Sequence, residues 1–383
     1  MPDALLKVLH VLGSLNRGGA ETWLMHVLRH INREHFHVDF LVHSSDVGDY
    51  EDEAQTLGAR VLRCLHPSDL AGYGQRFRQI LQQDGPYHVV HTHVHQYGGW
   101  PLTVARLSGV RVRVAHSHLD TEAIDARASV PRRIYLAGMK TLVKNASTYG
   151  LAASRQAAPS VFGRDWEQDG RYRIFYCAID LAPFENIRQH RRAVRDELNL
   201  PHDALIIGHV GRFFEQKNHA YLLDIAQALK PQLPQARFVL VGDGPLRDKI
   251  EQQATARGVR EMFVFLGLRS DVHRIMSAMD VFALPSKFEG LPLVGIEAQA
   301  AGLMCLIADT VTPEIKIVPE HITFLPITED AVDAWVNHLL RVARQPAPLT
   351  PQEALMRVSV SPFNIATSIA ALEEVYRGDS TAR

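Results

Sequence analysis

The sequence predicts an α/β protein made of two doubly wound domains, each built on a parallel sheet. Apolar runs alternate with amphipathic stretches in two successive series along the chain, and parallel strands require crossover connections of this kind. The 383 residues also exceed the size at which one hydrophobic core usually stops growing. Two such sheets facing a central cleft would bind ligands in that cleft.

The expected strands define the predicted domains. The first series comprises residues 7–12, 38–42, 89–92, 112–115 and 148–152, and the second comprises 205–210, 237–241, 263–266, 281–284 and 304–308. Segment 174–200 lacks a long apolar run, which places the linker near residue 185. Ile365, Ile369, Leu372 and Tyr376 have helical spacing. We therefore expect domains at 1–185 and 186–361, and a closing helix at 362–383 that packs back toward the first domain.

Composition and charge narrow the function classes. Hydrophobic residues make up 46% of the chain and charged residues 22%, as in ordinary globular proteins. The formal net charge of -1 predicts no general attraction for nucleic acid. The three cysteines lie far apart and indicate a reducing compartment. The N-terminus lacks a basic leader, and no apolar run approaches the length of a spanning helix. We expect a cytoplasmic protein, with any membrane contact peripheral.

The loop after strand 205–210 carries two cations at the mouth of a strand-to-helix turn. These are Arg212 and Lys217, and the free amides of a helix start would lie nearby. Cations and helix-start amides together suit a diphosphate. A solvated loop is the alternative for this motif alone. The tight exit of strand 237–241 at Gly242 is a weaker signal of ligand contact, since many parallel strands end in a glycine turn.

Segment 284–298 carries the strongest signal, two carboxylates eight positions apart. Glu289 is expected in a loop over the cleft and Glu297 in the helix that begins near Pro292, a residue type favoured in a first helical turn. Carboxylates accept hydrogen bonds from sugar and ribose hydroxyls. Two ordinary surface acids are the alternative. The backbone expected to hold phosphate spans four residues: Gly290, Leu291, Pro292 and Leu293.

These motifs together resemble the retaining family 4 glycosyltransferases of the GT-B fold, which has two Rossmann-like domains. The resemblance covers most of the C-terminal half and rests on the order of Arg212, Lys217, the turn 242–245, Glu289 and Glu297. It implies that Glu289 contacts the transferred sugar and Glu297 the ribose. It also implies that Arg212 and Lys217 bind the diphosphate. The donor would be a nucleoside-diphosphate sugar, with no other cofactor.

The resemblance extends to a base-binding loop and to the N-terminal half. Arg269 falls where the family has a loop beside the base, and Gly18 and Gly19 match its N-terminal glycine turn. His118, with His116 as a neighbouring competitor, matches the active-site histidine, which implies contact with the donor sugar or the acceptor hydroxyl. The loop 16–21, the pair at 116–118 and the stretch 310–316 are similar to the bacterial exopolysaccharide and capsule branch.

Three alternating histidines, at positions 91, 93 and 95, would share one face if their strand continued that far. They could then form a metal site. No acidic partner is suitably placed to strengthen that interpretation, and the resemblance implies a metal-independent enzyme. Solvated or acceptor-lining histidines are the simpler expectation, so the sequence predicts no metal site.

Residues 106–144 have a basic local balance. Within 131–145, apolar residues alternate with cations, so a helix there could lie on an anionic membrane. We expect any such contact within residues 127–145, and an ordinary surface helix is the equal alternative. The helix would then contact the inner face of the cell membrane.

The sequence thus predicts a retaining glycosyltransferase that moves a sugar from a nucleotide sugar to a glycan or lipid-linked glycan acceptor, in bacterial polysaccharide biosynthesis. Donor binding is expected mainly on the C-terminal domain and acceptor binding mainly on the N-terminal domain. Two alternatives remain open. One is a nucleotide-sugar 2-epimerase of the same fold, and the other is a non-catalytic subunit that binds nucleotide sugars.

Overall fold

The described structure, a computed structural model, comprises residues 5–378. The chain forms two compact units. The first contains residues 5–178 and 365–378, and the second contains residues 179–364. Each unit has a parallel sheet with helical crossovers, which confirms the predicted class of two doubly wound domains. The predicted tail helix runs to residue 383, and residues 379–383 lie outside the described part of the chain.

The sheet of the first unit has the strand order β3-β2-β1-β4-β5-β6-β7, and its described strand pairs are parallel. The order reverses direction between β1 and β4, the point where doubly wound folds bind ligands. The strands are β1 Leu6–Leu12, β2 Phe36–Val42, β3 Val61–Arg63, β4 Val89–Thr92, β5 Val112–Ser117, β6 Tyr149–Ala152 and β7 Tyr172–Ile174. The helices before the second unit are α1 Gly19–His30, α2 Glu51–Thr56, α3 Leu70–Gln83, α4 Gly99–Leu107, α5 Glu122–Ala126, α6 Val130–Ala146 and α7 Ala158–Phe162.

The second unit repeats this plan in the order β10-β9-β8-β11-β12-β13, with its reversal between β8 and β11. The strands are β8 Ile206–Val210, β9 Arg237–Val241, β10 Phe263–Phe265, β11 Val281–Leu284, β12 Met304–Ala308 and β13 Ile322–Leu325. The helices are α8 Arg191–Glu197, α9 His219–Leu229, α10 Arg247–Ala256, α11 Val272–Met276, α12 Leu293–Ala300, α13 Val332–Arg344 and α14 Pro351–Ser359. The final helix, α15 Ile365–Arg377, belongs to the first unit.

Each unit has its own hydrophobic core between its sheet and the helices that pack on it. In the first unit Tyr73 and Phe77 of α3 pack with β-strand residues such as Val90. In the second unit Trp335 of α13 packs with Leu222 of α9 and Phe238 of β9. Helix α15 packs on α1 and β1, and its Tyr376 is buried. No helix in residues 5–378 is long and apolar enough to cross a membrane.

Segment 174–200, where the sequence predicts a linker, mostly belongs to the second unit. The division falls between Ala178 and Ile179, earlier than residue 185. Within the charged run 188–197 of this segment, Arg191 and Arg195 both pair with Asp280, at 2.5 and 2.8 Å. Arg195 is itself 1% exposed. The charged run is therefore a packed helix and not a connector.

Candidate active site

The candidate donor site is built at the point where the strand order of the second unit reverses. Strand β8 ends at Val210 and strand β11 at Leu284, and the two strands are direct neighbours. The loops that leave their carboxyl ends, 211–218 and 285–292, therefore meet. Lys287 N donates to Gln216 O at 2.8 Å, which joins the two loops through their backbones. The predicted diphosphate loop and the predicted sugar loop thus form one surface.

Lys217 and Glu289 form a shielded ion pair across these loops. Their Nζ and Oε1 atoms are 2.5 Å apart, and the two side chains are 16% and 7% exposed. The amide of Gln216 donates to the second oxygen, Glu289 Oε2, at 3.1 Å and to Phe288 O at 3.0 Å. Removal of either charge would leave the other partly desolvated, which is costly. The ion pair thus fixes the positions of a lysine and a carboxylate just beyond the carboxyl ends of β8 and β11.

Arg212 lies in the same loop and has a different environment. Its side chain is exposed, and its guanidinium lies over the ring of Phe214, 4.7 Å from the ring centre. Among residues 5–378, no carboxylate forms an ion pair with Arg212. A planar guanidinium in that state can bind an anion through two parallel hydrogen bonds. Arg212 is the cation of this loop that remains available for a ligand.

Glu297 lies in helix α12 among small buried residues, including Ala298 and Ala300. Burial raises the pKa of Glu297 to about 7. Its carboxylate has no hydrogen-bond partner in the described part of the chain. A carboxylate in an apolar helix without a partner is destabilising. A ligand hydroxyl would satisfy it.

Helix α12 begins one residue later than the sequence predicts. Pro292 is the N-cap, in an extended conformation, and the helix starts at Leu293. The ring of Pro292 therefore precedes the first turn instead of occupying it. The first amides of a helix have no intrahelical acceptor and can bind an anion. Of the four predicted backbone positions, Gly290 and Leu291 lie in the preceding loop, and the proline itself has no N–H to offer.

The structure gives Gly242 a packing role. Its φ is +134°, and a Cβ at this position would lie 2.2 Å from Gly211 O. Phe213 N donates to Asp243 O at 2.9 Å, so the turn after β9 supports the loop that carries Arg212. Only glycine fits a backbone approach this close. Gly242 thus positions the loop that carries Arg212, whether or not it contacts ligand itself.

Arg269, the predicted base-loop residue, is already engaged with acidic neighbours. Its guanidinium donates to both carboxylate oxygens of Asp271 at 2.8 Å and contacts Glu197 Oε1 at 3.4 Å. This ion-pair network fixes the turn between β10 and α11. The neighbouring Gly267 accepts a hydrogen bond from Gly242 N at 2.8 Å. The backbone of this turn is therefore hydrogen-bonded to the turn after β9, while the Arg269 side chain is paired with Asp271 and Glu197.

A cavity of about 350 Å³ lies at the opposite, amino ends of strands β8 and β12. Its lining includes Arg188, Arg191 and Arg195. Asp280 neutralises two of these arginines, as described above. The cavity contains none of the residues that the sequence predicts for the site.

The glycine turn of the first unit precedes helix α1. Gly18 is the N-cap of α1, and a Cβ there would lie 2.3 Å from the carboxylate oxygen Glu21 Oε2. Gly19 begins the helix, with open space where a Cβ would be. Arg17 N donates to Asp49 Oδ2 at 3.0 Å, which fixes the turn. The helix start lies at the end of β1, next to the reversal of strand order in this sheet.

His118 is part of a buried histidine network. Its Nε2 lies 2.9 Å from His93 Nδ1, and its Nδ1 lies 3.6 Å from Cys177 Sγ. Burial lowers the pKa of His118 to about 3. The ring is therefore neutral near pH 7, so it can donate one hydrogen bond and accept one but supplies no positive charge to phosphate.

The condition under which the three alternating histidines would share one face is not met, and His91 is not the solvated residue that one of the two alternatives described. Strand β4 ends at Thr92, and His95 lies in a turn with φ +54°, where it bonds to Gln96 and Leu119 O instead of joining the others. His91 is 0% exposed, so it is not solvated. The histidines that do bond to His91 and His93 come from β1 and the end of β5.

The residue that sequence reasoning missed in the donor site is Gln216. It bridges Glu289 and the backbone of Phe288, as described above. Its position beside Lys217 is the signal that could have identified it. The partners of His91 carried no local signal in the sequence. Strand pairing brings His10 opposite His91. Tyr376, which bonds to His91, lies 285 residues further along the chain, in α15.

Family models match both halves of the chain. The model of glycosyl transferases group 1 matches residues 190–354, and the model of the glycosyl transferase 4-like domain matches residues 18–161. Over 380 residues the chain is 33% identical to the EpsF protein of Bacillus subtilis (strain 168), which is named as a glycosyltransferase. This match covers 98% of the chain and 97% of that relative. The chain belongs to the family 4 glycosyltransferases.

Two further matches accord with this membership. The glycosyltransferase is 26% identical to the Escherichia coli UDP-Gal:alpha-D-GlcNAc-diphosphoundecaprenol alpha-1,3-galactosyltransferase, over 76% of its own length and 75% of that relative. Anabaena HepE, solved in complex with UDP-glucose, has a TM-score of 0.79 and 19% identity, and the match covers 97% of this chain and 100% of HepE. The shared architecture confirms the predicted GT-B fold. These matches favour a transferase over an epimerase or a non-catalytic subunit.

Proposed function

We propose that this glycosyltransferase moves a sugar from a nucleoside-diphosphate sugar to a glycan or lipid-linked glycan, in bacterial polysaccharide biosynthesis on the cytoplasmic side of the membrane. The observation that carries the proposal is the shielded pair of Lys217 and Glu289 at the strand ends of the second unit. A donor brings a diphosphate, which competes with Glu289 for Lys217. The exchange frees Glu289 to accept hydrogen bonds from the sugar hydroxyls.

The other donor contacts follow from the same loops. Arg212, which has no acidic partner in the described residues, binds the diphosphate together with Lys217 and the amides that start α12. Glu297, with its raised pKa and unsatisfied carboxylate, accepts the ribose hydroxyls. Negative charge grows on the diphosphate as the glycosidic bond breaks, so groups already aimed at it lower the barrier.

We propose that transfer is retaining and needs neither a metal nor an additional cofactor. Arg212, Lys217 and helix-start amides provide the positive charge that a metal would otherwise supply to the leaving diphosphate. Retention rests on the family resemblance, which implies front-face attack without a covalent enzyme intermediate. Glu289 then orients the sugar and does not attack its anomeric carbon.

The acceptor contacts are assigned to the first unit. Gly18 and Gly19 allow close approach of a ligand to the start of α1, and His118 is neutral, so it can exchange hydrogen bonds with a hydroxyl. The Escherichia coli relative is named for a diphosphoundecaprenol-linked acceptor, which supports a lipid-linked glycan for this chain. A membrane-bound acceptor in turn requires that the enzyme reach a membrane.

A thermal-shift screen of nucleotide sugars tests the donor assignment. A bound donor stabilises the folded chain by mass action, so we expect at least one nucleoside-diphosphate sugar to raise the melting temperature. UDP-sugars are the first choice, because HepE and the Escherichia coli relative carry uridine donors in their names. The matching nucleoside monophosphate, which lacks the second phosphate, is the control. No shift with any diphosphate sugar at about 1 mM, a typical upper KM, would contradict the proposal.

We also propose a membrane contact, on a smaller surface than the sequence predicts. Leu136, Met139 and Val143 of α6 are buried in the first unit and cannot face lipid. The exposed apolar residues near the start of α6 are Ile124, Val130 and Ile134, at 62%, 59% and 68%. Arg127, Arg132 and Arg133 are exposed among them. Basic and apolar side chains in one exposed patch suit an anionic membrane surface.

Vesicle flotation tests this contact. Wild-type protein is expected to float with phosphatidylglycerol vesicles and not with phosphatidylcholine vesicles. Each arginine near such a surface contributes about 1 kcal/mol, so R132Q/R133Q should lower the partition coefficient by roughly 30-fold. The matched control is R341Q/R344Q, which removes two exposed arginines from α13. Equal flotation of both double variants would reject the contact.

A further inference from the structure

Five histidines of the first unit form one cluster beneath helices α1 and α15, in which three are buried and two, His93 and His118, are half-buried. They are His10 of β1, His91 of β4, His93 just after β4, and His116 and His118 at the end of β5. Strand register places His10 opposite His91, and Trp23 of α1 lies against four of the rings at 5.1 to 6.3 Å between ring centres. Hydrophobic side chains normally fill such a position. A concentration of imidazoles there needs a chemical reason.

Hydrogen bonds join the cluster into one chain. From His118 it passes to His93 at 2.9 Å, on to His10 at 2.9 Å, and then to the hydroxyl of Tyr376 at 3.3 Å. From Tyr376 it continues to His91 at 2.9 Å and ends at His116 Nδ1, 3.2 Å from His91 Nε2. The nitrogen beyond that point, His116 Nε2, is buried and has no hydrogen-bond partner among the described residues.

The unsatisfied nitrogen marks one end of a possible ligand set. Ring nitrogens of His93, His116 and His118 all lie within 4.8 Å of one another. A second set, His10, His91 and His93, satisfies the same distance. In that second set, however, both ring nitrogens of every histidine already have a partner, so an ion would have to break existing hydrogen bonds. The set that includes His116 offers one nitrogen that has none, and an ion there would break only the hydrogen bond between His93 Nδ1 and His118 Nε2.

We propose that His93, His116 and His118 bind a divalent transition-metal ion of the zinc class. Three neutral imidazoles with no carboxylate favour zinc, copper or nickel over magnesium or calcium. Three histidines leave a fourth position of a tetrahedral ion for water or another ligand. The ion would bind through His93 Nδ1, His116 Nε2 and His118 Nε2.

The remaining nitrogens of these three rings support the assignment. A metal-bound histidine normally donates its other N–H to a neighbour, which fixes the tautomer and the ring orientation. His93 Nε2 can donate to His10, His116 Nδ1 to His91, and His118 Nδ1 to Cys177 Sγ. His10 and His91 can then both donate to the oxygen of Tyr376, which has two lone pairs. Every ligand thus has an outer partner already in place.

The site is separate from the groups assigned to the diphosphate, but it includes His118, so a chain with the ion bound would contact the acceptor through other groups. Lys217, Arg212 and Glu289 belong to the second unit, whereas the histidine cluster belongs to the first. An ion bound there stabilises the first unit by joining β5 to the chain after β4. The inference does not rest on the proposed function, because its test measures metal binding and not transfer.

Cobalt titration of the full chain tests the site. After chelator treatment and removal of the chelator, we expect one Co²⁺ per chain, the visible absorption of four-coordinate cobalt, and displacement of Co²⁺ by Zn²⁺. H116F should abolish the absorption. H10F, which removes only an outer partner, should weaken Zn²⁺ binding by roughly 10- to 100-fold. The matched control is H219F, since His219 is also buried and both its ring nitrogens lack partners in the described part of the chain.

X-ray absorption of the zinc-loaded wild-type protein gives a result that needs no variant. Three imidazole ligands and one further light ligand are expected at zinc. Failure of the wild-type protein to bind Co²⁺ at one per chain would overturn the proposal. Binding that survives H116F, or a zinc spectrum without imidazole ligands, would also overturn it.

Discussion

Lys217→Ala is expected to lower the rate of sugar transfer by roughly 100- to 1,000-fold, the usual effect of removing one group that stabilises developing negative charge. The substitution removes a cation from the diphosphate, and it also leaves the carboxylate of Glu289, 7% exposed, without its ionic partner. Loss of the pair costs up to about 3 kcal/mol of folding stability. Steady-state kinetics with the identified donor, together with urea unfolding, separate these two effects.

The matched control for this variant is Lys287→Ala. Lys287 lies two positions from Glu289, but its Nζ pairs with the exposed Glu215 at 3.1 Å. Exposed pairs contribute little to stability, so turnover and unfolding should stay near wild type. Glu289→Ala should reproduce the catalytic loss of Lys217→Ala. Wild-type turnover in both Lys217→Ala and Glu289→Ala would refute the assignment of this pair.

Glu297→Gln is expected to stabilise the ligand-free protein while weakening donor binding. The folded chain holds the pKa of Glu297 at about 7, above the ordinary 4.5, so the folded state binds more protons than the unfolded state between these pH values. Stability therefore falls as pH rises from 4.5 to 7, and glutamine removes that penalty. Above pH 7 the variant should gain about 1–3 kcal/mol, and at pH 4.5 almost none.

Donor binding should change in the opposite direction. A glutamine oxygen still accepts a hydrogen bond from a ribose hydroxyl, but without the charge that strengthens it. The donor KM should rise roughly tenfold. Urea unfolding at pH 4.5 and pH 8 and initial-rate kinetics measure both effects, with the exposed Glu329→Gln as control. A variant no more stable than wild type at pH 8 would show that Glu297 carries no burial penalty.

The central strands of both sheets and the edge strand β10 could be predicted from the sequence, whereas the other three edge strands could not. Strands such as β4 and β11 are buried along their whole length, so they appear as continuous apolar runs. Strands β3, β7 and β13 lie at sheet edges and are partly exposed. These three strands are recognisable only from their hydrogen bonds to a neighbouring strand, because their short sequences of mixed polarity resemble those of turns.

The candidate site shows the same division between local and long-range information. Lys217 and Glu289 were predicted because each follows a recognisable strand, and the strand order brings those two strand ends together. The histidine network was not predictable, since it joins β1, β4, β5 and α15 through tertiary contacts. The position of His95 could not be predicted for a related reason. Nothing in the sequence indicates that β4 ends at Thr92 and that the backbone turns before His95.

The return of α15 to the first unit has a consequence for the order of folding during synthesis. The phenol of Tyr376 is the hydrogen-bond link between His10 and His91, and it is synthesised after the whole of the second unit. Domains usually fold in the order in which they leave the ribosome. Here the second unit is continuous in sequence and can complete its core while the first unit still lacks its last helix. Of the two units, the first is therefore expected to finish folding after the second.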